Sequence, residues 1–172
     1  DLETARIAIQ ASLTGHMVFG TLHTNDAASA ITRLTDMGAE PFLIASTLRA
    51  VVSQRLLRVI CAGCRKEIPA TELEKKLLER LGLKGPAVFR GAGCRTCFGT
   101  GYKGRTVVSE ILNITDQVRP AITRRSTSVE ISKAAQAGGM VPMLQDGIEK
   151  VRQGVTTLEE LLQAIDIEEA DG

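Results

Sequence analysis

The sequence has no tryptophan, and aromatic residues fill only 3% of its 172 positions. That leaves little material for the aromatic platforms on which single-stranded nucleic acids stack. It has no long block of one charge either. The 21 lysines and arginines are balanced by 20 acidic residues, for a net charge of +1, so the basic footprint of a nucleic-acid binder is missing. No apolar run approaches the roughly 18 residues needed to span a bilayer, and no secretory signal peptide is visible. These absences lead to the expectation of a soluble, cytoplasmic protein without a membrane span. An initiator methionine is also lacking: the chain opens DLETARIAIQASLTG with an amphipathic helix already under way, which reads as a piece of something longer. What is present, 44% hydrophobic residues, is enough for one core or for a small core with an appended module.

Apolar positions Leu2, Ala5, Ile9 and Leu13 recur at helical spacing over residues 2–14 and stop at Gly15. Met17 to Leu22 reads as a short buried strand. Thr24, Asn25 and Asp26 are cap residues for a helix through Asp36, ended by Gly38. Pro41 opens a further helix, expected to carry Phe42, Leu43, Leu48, Val51, Val52, Leu56 and Leu57. This alternation is the texture of an α/β domain. Residues 58–110 differ: Gly91, Gly93, Gly99, Gly101 and Gly104 point to turns, interrupted by a charged helix over Thr71 to Leu81 and left by a strand over Arg105 to Leu112. From Asp116 the pattern is helical, with Pro120 near a helix start and breaks at Gly138-Gly139 and Gly154. Thr156 or Thr157 before Glu159-Glu160 resembles a cap. The tail IEEADG is expected to fray.

All four cysteines lie in the glycine-rich segment, as Cys61-Ala-Gly-Cys64 and Cys94-Arg-Thr-Cys97 with 29 residues between the pairs. Two residues between cysteines let one tight turn aim both thiolates at an ion. Two such turns make a closed tetrahedral site, with Zn–S of about 2.3 Å. Gly63 and Gly93 ease the turns. Structural zinc on Cys61, Cys64, Cys94 and Cys97 is the expectation, with disulfides, redox pairs or an iron site as the alternatives. A filled tetrahedral ion has no open position for catalysis. Arg58, Arg65, Lys66, Arg90, Arg95 and Lys103 are close enough in sequence to offset the thiolate charge. Gly99-Thr-Gly101-Tyr-Lys-Gly104 fits G-x-G-x-x-G, but it follows a cysteine pair and leads into a strand. A dinucleotide fingerprint follows a strand and opens a helix, so nucleotide binding by this loop is not expected.

Both histidines fall in TGHMVFGTLHTND. If Met17 to Leu22 is extended, His16 and His23 stand roughly 23 Å apart at about 3.3 Å per residue and face opposite ways. A shared metal site is excluded on that basis. Ligands of open α/β sheets bind beyond the carboxyl ends of strands, beside the next helix's N-terminus. This favours His23, with Thr21, Thr24 and Asn25 beside it, over His16. An ordinary capping or buried histidine stays open for both.

The stretch DLETARIAIQASLTGHMVFGTLHTNDA resembles the segment after the Walker B glutamate in secretion ATPases of the type II secretion and type IV pilus assembly family. There, a G-E-I/M-R motif commonly precedes the D-x-E-T seen here as Asp1 to Thr4. The resemblance continues through EPFLIASTLRAVVSQRLLRVIC, the paired C-x2-C motifs, TGYKGRTVVSEIL and QDGIEKVRQGVTTLEE, nearly the whole chain. It implies the C-terminal part of a RecA-like α/β ATPase core acting as a homo-hexamer, with ATP and magnesium as cofactors. The implied place is the cytoplasmic side, peripheral at the inner membrane, against a platform protein. His16 and His23 carry over as histidine-box residues, with His23 near the γ-phosphate. The cysteine module looks like the metal-binding subdomain of assembly and secretion members, which retraction motors typically lack.

The sequence departs from the family in one respect. It contains no G-x-x-x-x-G-K-S/T, and the Walker B glutamate and aspartate box would lie before Asp1. Phosphoryl transfer needs the phosphate cradle, metal and water acting together, so the 172 residues alone are expected to be inactive. The expected division is 1–57 for the ATPase core portion, 58–110 for the tetracysteine subdomain and 111–172 for a helical subdomain. The competing reading is a non-catalytic, zinc-stabilised protein-interaction module.

Overall fold

A computed structural model describes residues 1–83 and 87–165. Eight α-helices and four strands are assigned among the described residues: α1 (Leu2–Leu13), α2 (Ala27–Asp36), α3 (Pro41–Thr47), β1 (Ala50–Ile60), β2 (Arg65–Pro69), α4 (Glu72–Arg80), β3 (Ala87–Gly91), β4 (Tyr102–Asn113), α5 (Arg119–Thr123), α6 (Ser128–Ala137), α7 (Met143–Arg152) and α8 (Leu158–Ala164). β1 pairs with β4, and β2 with β3. The chain forms two compact units that interleave in sequence. One comprises Asp1–Ser53 and Glu110–Pro142, the other Gln54–Ser109 and Met143–Gly172. The chain thus passes between units three times: inside β1, inside β4 and after Pro142. The IEEADG tail lies outside the described residues.

The first unit is built on helix faces of small and branched residues. Asp26 caps α2, so the run Ala27, Ala28, Ile31 turns inward at helical spacing. It joins Ile44 and Ala45 of α3, Ala121 and Ile122 of α5, and Ile131 and Ala135 of α6 around Leu112 and Val118. Thr127 starts α6 with a reciprocal bond to Glu130, which satisfies two of the helix's otherwise unpaired amides.

The second unit centres on Leu57, Val88, Val108, Met143, Ile148, Val151, Leu158 and Leu161. Its α4 opens with the same Thr–Glu device, Thr71 with Glu74, and α8 opens on Thr157. β2 and β3 run antiparallel, pairing Arg65 with Gly91 and Pro69 with Ala87.

Two sequence expectations give way. The helix from Pro41 ends at Thr47, with Leu48 already extended, and Val51 to Leu57 belong to β1. Adjacent Val51 and Val52 lose side-chain freedom in a helix and suit a strand. Burial then alternates along β1, with Ser53 and Leu57 inside. The second correction concerns Met17 to Leu22, which is neither a strand nor buried: Met17 is 73% and Phe19 91% exposed. Among the described residues no strand pairs with it, and an extended segment without a ladder partner has nothing to bury its backbone against.

Candidate functional site

Cys61 follows the last residue of β1, and a single turn brings Cys64 to the start of β2, with the Cys64 amide donating to the Cys61 carbonyl at 3.0 Å. Cys94 precedes a 3-10 turn, Arg95–Cys97, and Cys97 is its last residue. All four sulfurs lie within 4.8 Å of one another. Cys61–Cys94 and Cys64–Cys97 are each 3.8 Å apart, and Cys94–Cys97 3.7 Å. A regular tetrahedron with metal–sulfur bonds of about 2.3 Å has edges of about 3.8 Å, whereas a disulfide holds its sulfurs at about 2.0 Å. The cysteines are free thiols, so the disulfide alternative falls. The donor set fits a four-thiolate metal ion, and the structure contains the residues to hold one.

Backbone geometry supports the same arrangement. Gly91 and Gly101 meet so closely that a Cβ on Gly91 would stand 2.0 Å from the Gly101 carbonyl oxygen. That contact presses the exit of the second cysteine pair against β3, and no residue with a side chain can replace Gly91 there without moving backbone. The amides of Cys94 and Gly101 donate to Cys97 Sγ at 3.2 and 3.3 Å. Burial works against the Cys97 thiolate, yet those two N–H groups together with the Cys94 and Cys64 side chains outweigh it and bring its pKa down to about 6. Burial pushes the Cys64 thiol up to about 12. A dication among these sulfurs favours the thiolate form of every ligand.

Three of the six nearby cations have partners of their own in this unit. Arg58 bonds to Glu160 and lies over the Tyr102 ring at 4.2 Å. Arg90 bridges Glu74 and Glu159, each at 2.6 Å. Arg65 covers the Phe89 ring and donates to the Gly154 carbonyl. These three tie the cysteine region to residues 153–160 of the same unit. Gly99 and Gly101 lead into β4 and Gly104 lies within it, so this loop opens no helix, as its context suggested.

The histidine segment is arranged differently. His16 is exposed, its Nδ1 3.1 Å from Thr14 Oγ1 and 3.3 Å from the Ala11 carbonyl at the end of α1. His23 and Thr21 are exposed as well. Thr24 donates its hydroxyl to the Asp26 carbonyl, and the Asn25 carbonyl accepts from Ser53 Oγ at 3.4 Å. The helix N-terminus beside them is not the vacant amide cradle expected there. Asp26 takes the Ser29 amide and hydroxyl, both at 2.6 Å. The Ala27 amide donates to buried Glu110 at 2.7 Å. Since Met17 to Leu22 is no strand, strand polarity no longer favours His23, and its role rests on the family resemblance. Glu110 went unnoticed in the sequence. Its one signal is an acid at the middle of Val108–Glu110–Leu112, the inward period of β4.

A family model described as "Type II/IV secretion system protein" matches residues 1–163. The chain belongs to this family. It is 48% identical to "Type IV pilus assembly ATPase PilB" of Thermus thermophilus over 94% of this chain and 18% of that protein. It is 48% identical to "Type II secretion system protein E" of Aeromonas hydrophila and 44% identical to "Type II secretion system ATPase E" of Vibrio cholerae, each over 95% of this chain and 32% of the relative. The crystal structure of the pilus retraction motor PilT with bound ADP superimposes with a TM-score of 0.65 at 25% identity, over 99% of this chain and 38% of that one. The fold is therefore the α/β, RecA-like one of these motors, with a four-cysteine cluster and a helical part. The chain spans about a third or less of the curated relatives' length. No helix among the described residues is long and apolar enough to cross a membrane.

Proposed function

We propose that these residues are the C-terminal portion of a hexameric ATPase that powers type II secretion or type IV pilus assembly. The observation that carries this reading is the match over residues 1–163, joined to 44–48% identity with relatives named as ATPases and secretion proteins. In this reading residues 1–57 complete the ATPase core, 58–110 form the metal-binding subdomain and 111–172 the helical one. The whole protein works on the cytoplasmic side, against a platform protein at the inner membrane.

Zinc is the metal assigned to Cys61, Cys64, Cys94 and Cys97. The closed donor set and the tetrahedral sulfur spacing support it. Its role is structural. ATP and magnesium belong to the longer protein, in which His23 approaches the γ-phosphate and His16 completes the histidine box, with Thr21, Thr24 and Asn25 alongside. The α2 N-terminus already holds Asp26 and Glu110, so it does not itself cradle phosphate. The phosphate contacts come from a P-loop, and none occurs in this sequence. The 172 residues alone do not hydrolyse ATP.

The test uses a protein that includes the P-loop. His23→Ala should lower kcat by about tenfold or more while leaving nucleotide affinity near its original value, the pattern of an interaction made in the transition state. Unchanged turnover would make His23 an ordinary surface residue.

A further inference from the structure

We propose that the tip of the second cysteine turn, around Phe98, is a docking point for an acidic polypeptide segment of another protein, with the Phe98 ring as its apolar anchor. Phe98 closes the 3-10 turn with φ +52°, in the left-handed region that favours glycine. The turn demands this conformation. The Phe98 and Gly99 amides donate back to the carbonyls of Arg95 and Cys94, at 3.3 and 3.0 Å. A phenylalanine there costs stability that a glycine would not. The ring gives nothing back to the fold, since Phe98 is 92% exposed. The other two aromatic rings of this cysteine region, Phe89 and Tyr102, each lie under an arginine. Phe98 has no such cover among the described residues. A residue that is unfavourable in backbone and uncovered in side chain contributes outside its own fold, as aromatic anchors of interfaces do.

The surroundings indicate what it meets. Phe98 borders an open hollow with Ala92, Gly93, Cys94, Arg95 and Gly99, which gives a partner side chain somewhere to sit. Between Glu79 and Glu110 the chain has no acidic residue, while it carries Arg80, Lys84, Arg90, Arg95, Lys103 and Arg105. Arg95, Lys103 and Arg105 are exposed, and no salt bridge engages them among the described residues. Four thiolates holding one dication carry a net charge of about −2, which the six cations exceed, so the stretch stays positive while the overall charge is balanced. Arg95 beside Phe98 in the hollow's lining, with Lys103 and Arg105 a few residues further along the chain, complements an acidic segment bearing an apolar residue. A single ring beside a hollow is a poor stacking platform for successive bases, and a flat lipid surface would leave the hollow unused. The inference rests on this tip alone and is independent of the hydrolytic reading.

The experiment uses the whole 172-residue chain at low ionic strength. The probes are a labelled short peptide of aspartate, glutamate and leucine, phosphatidylglycerol vesicles and a single-stranded oligonucleotide. The peptide should bind more tightly than the other two. F98G should weaken peptide binding about tenfold or more, yet melt no lower than the parent, because glycine relieves the backbone. The double reversal K103E/R105E should weaken binding and flatten its salt dependence. The proposal is overturned if the parent does not bind the peptide, if F98G binds it equally well, or if F98G melts lower. Tighter binding to vesicles or oligonucleotide overturns it in favour of a lipid or nucleic-acid partner.

Discussion

Glu110 sits on β4 between Val108 and Leu112, both fully buried, and its carboxylate accepts the Ala27 amide at 2.7 Å. The bond joins residues 83 positions apart and fixes the start of α2 directly after His23, Thr24 and Asn25. Glu110→Ala leaves a buried amide without its acceptor and should cost about 1–3 kcal/mol. Urea denaturation of parent and variant measures this, and an unchanged midpoint would mean that water replaces the carboxylate without loss. The cysteines and Glu110 differ in how visible they were. Each C-x2-C pair is local, so spacing alone announced it. Glu110 finds its partner only through the fold, and its sole trace was an acid at an inward strand position. The histidines were visible as residue types, but their setting was not: His16 closes α1 through Thr14 and Ala11, a local contact that no reading of a buried strand contained.

At the scale of elements, capping chemistry was the most legible part. Thr157 caps α8 at one of the two threonines the sequence offered, and the charged pattern from Thr71 is α4, opened by Thr71 with Glu74. Boundaries fixed by long-range pairing were not legible, as in β1, whose apolar spacing fits a helix until β4 supplies hydrogen bonds. Within the second unit, α8 is tied to β1 by Glu160, which accepts from the Arg58 guanidinium and backbone amide. The guanidinium bond holds the Glu160 pKa below the ordinary carboxylate range, against the opposing effect of burial. Burial likewise opposes the Glu74 carboxylate, and bonds from Thr71 and Arg90 outweigh it. A lowered folded-state pKa contributes stability that is fully present above the unfolded value, about 4.3 for glutamate, and lost as pH falls through the folded one. The stability difference between parent and Glu160→Gln should therefore be constant near neutrality and shrink as pH falls below about 5. Chemical denaturation across that range checks it, and a difference independent of pH would contradict the assignment.

Across the whole molecule, the two compact units have cores of different origin. The first is a helical core around Leu112 and Val118. The second combines a small aliphatic core with the cysteine cluster, and Arg58, Arg65 and Arg90 extend from that region to residues 153–160. Metal loss should therefore disorder the loops at 61–64 and 92–101 and loosen residues 153–160 with them. The segment Met17 to Leu22 shows where sequence reading stops. Its apolar run announced a strand, but strand formation requires a neighbour that no pattern within the run itself supplies. The central claim, a four-thiolate zinc centre organising the second unit of a secretion-family motor segment, meets its most direct test in metal analysis of the purified 172-residue chain. One equivalent of zinc per chain is predicted, lost in Cys61→Ser together with amide protection at 153–160. A chain that carries no metal, or whose protection there is unchanged by Cys61→Ser, would contradict it.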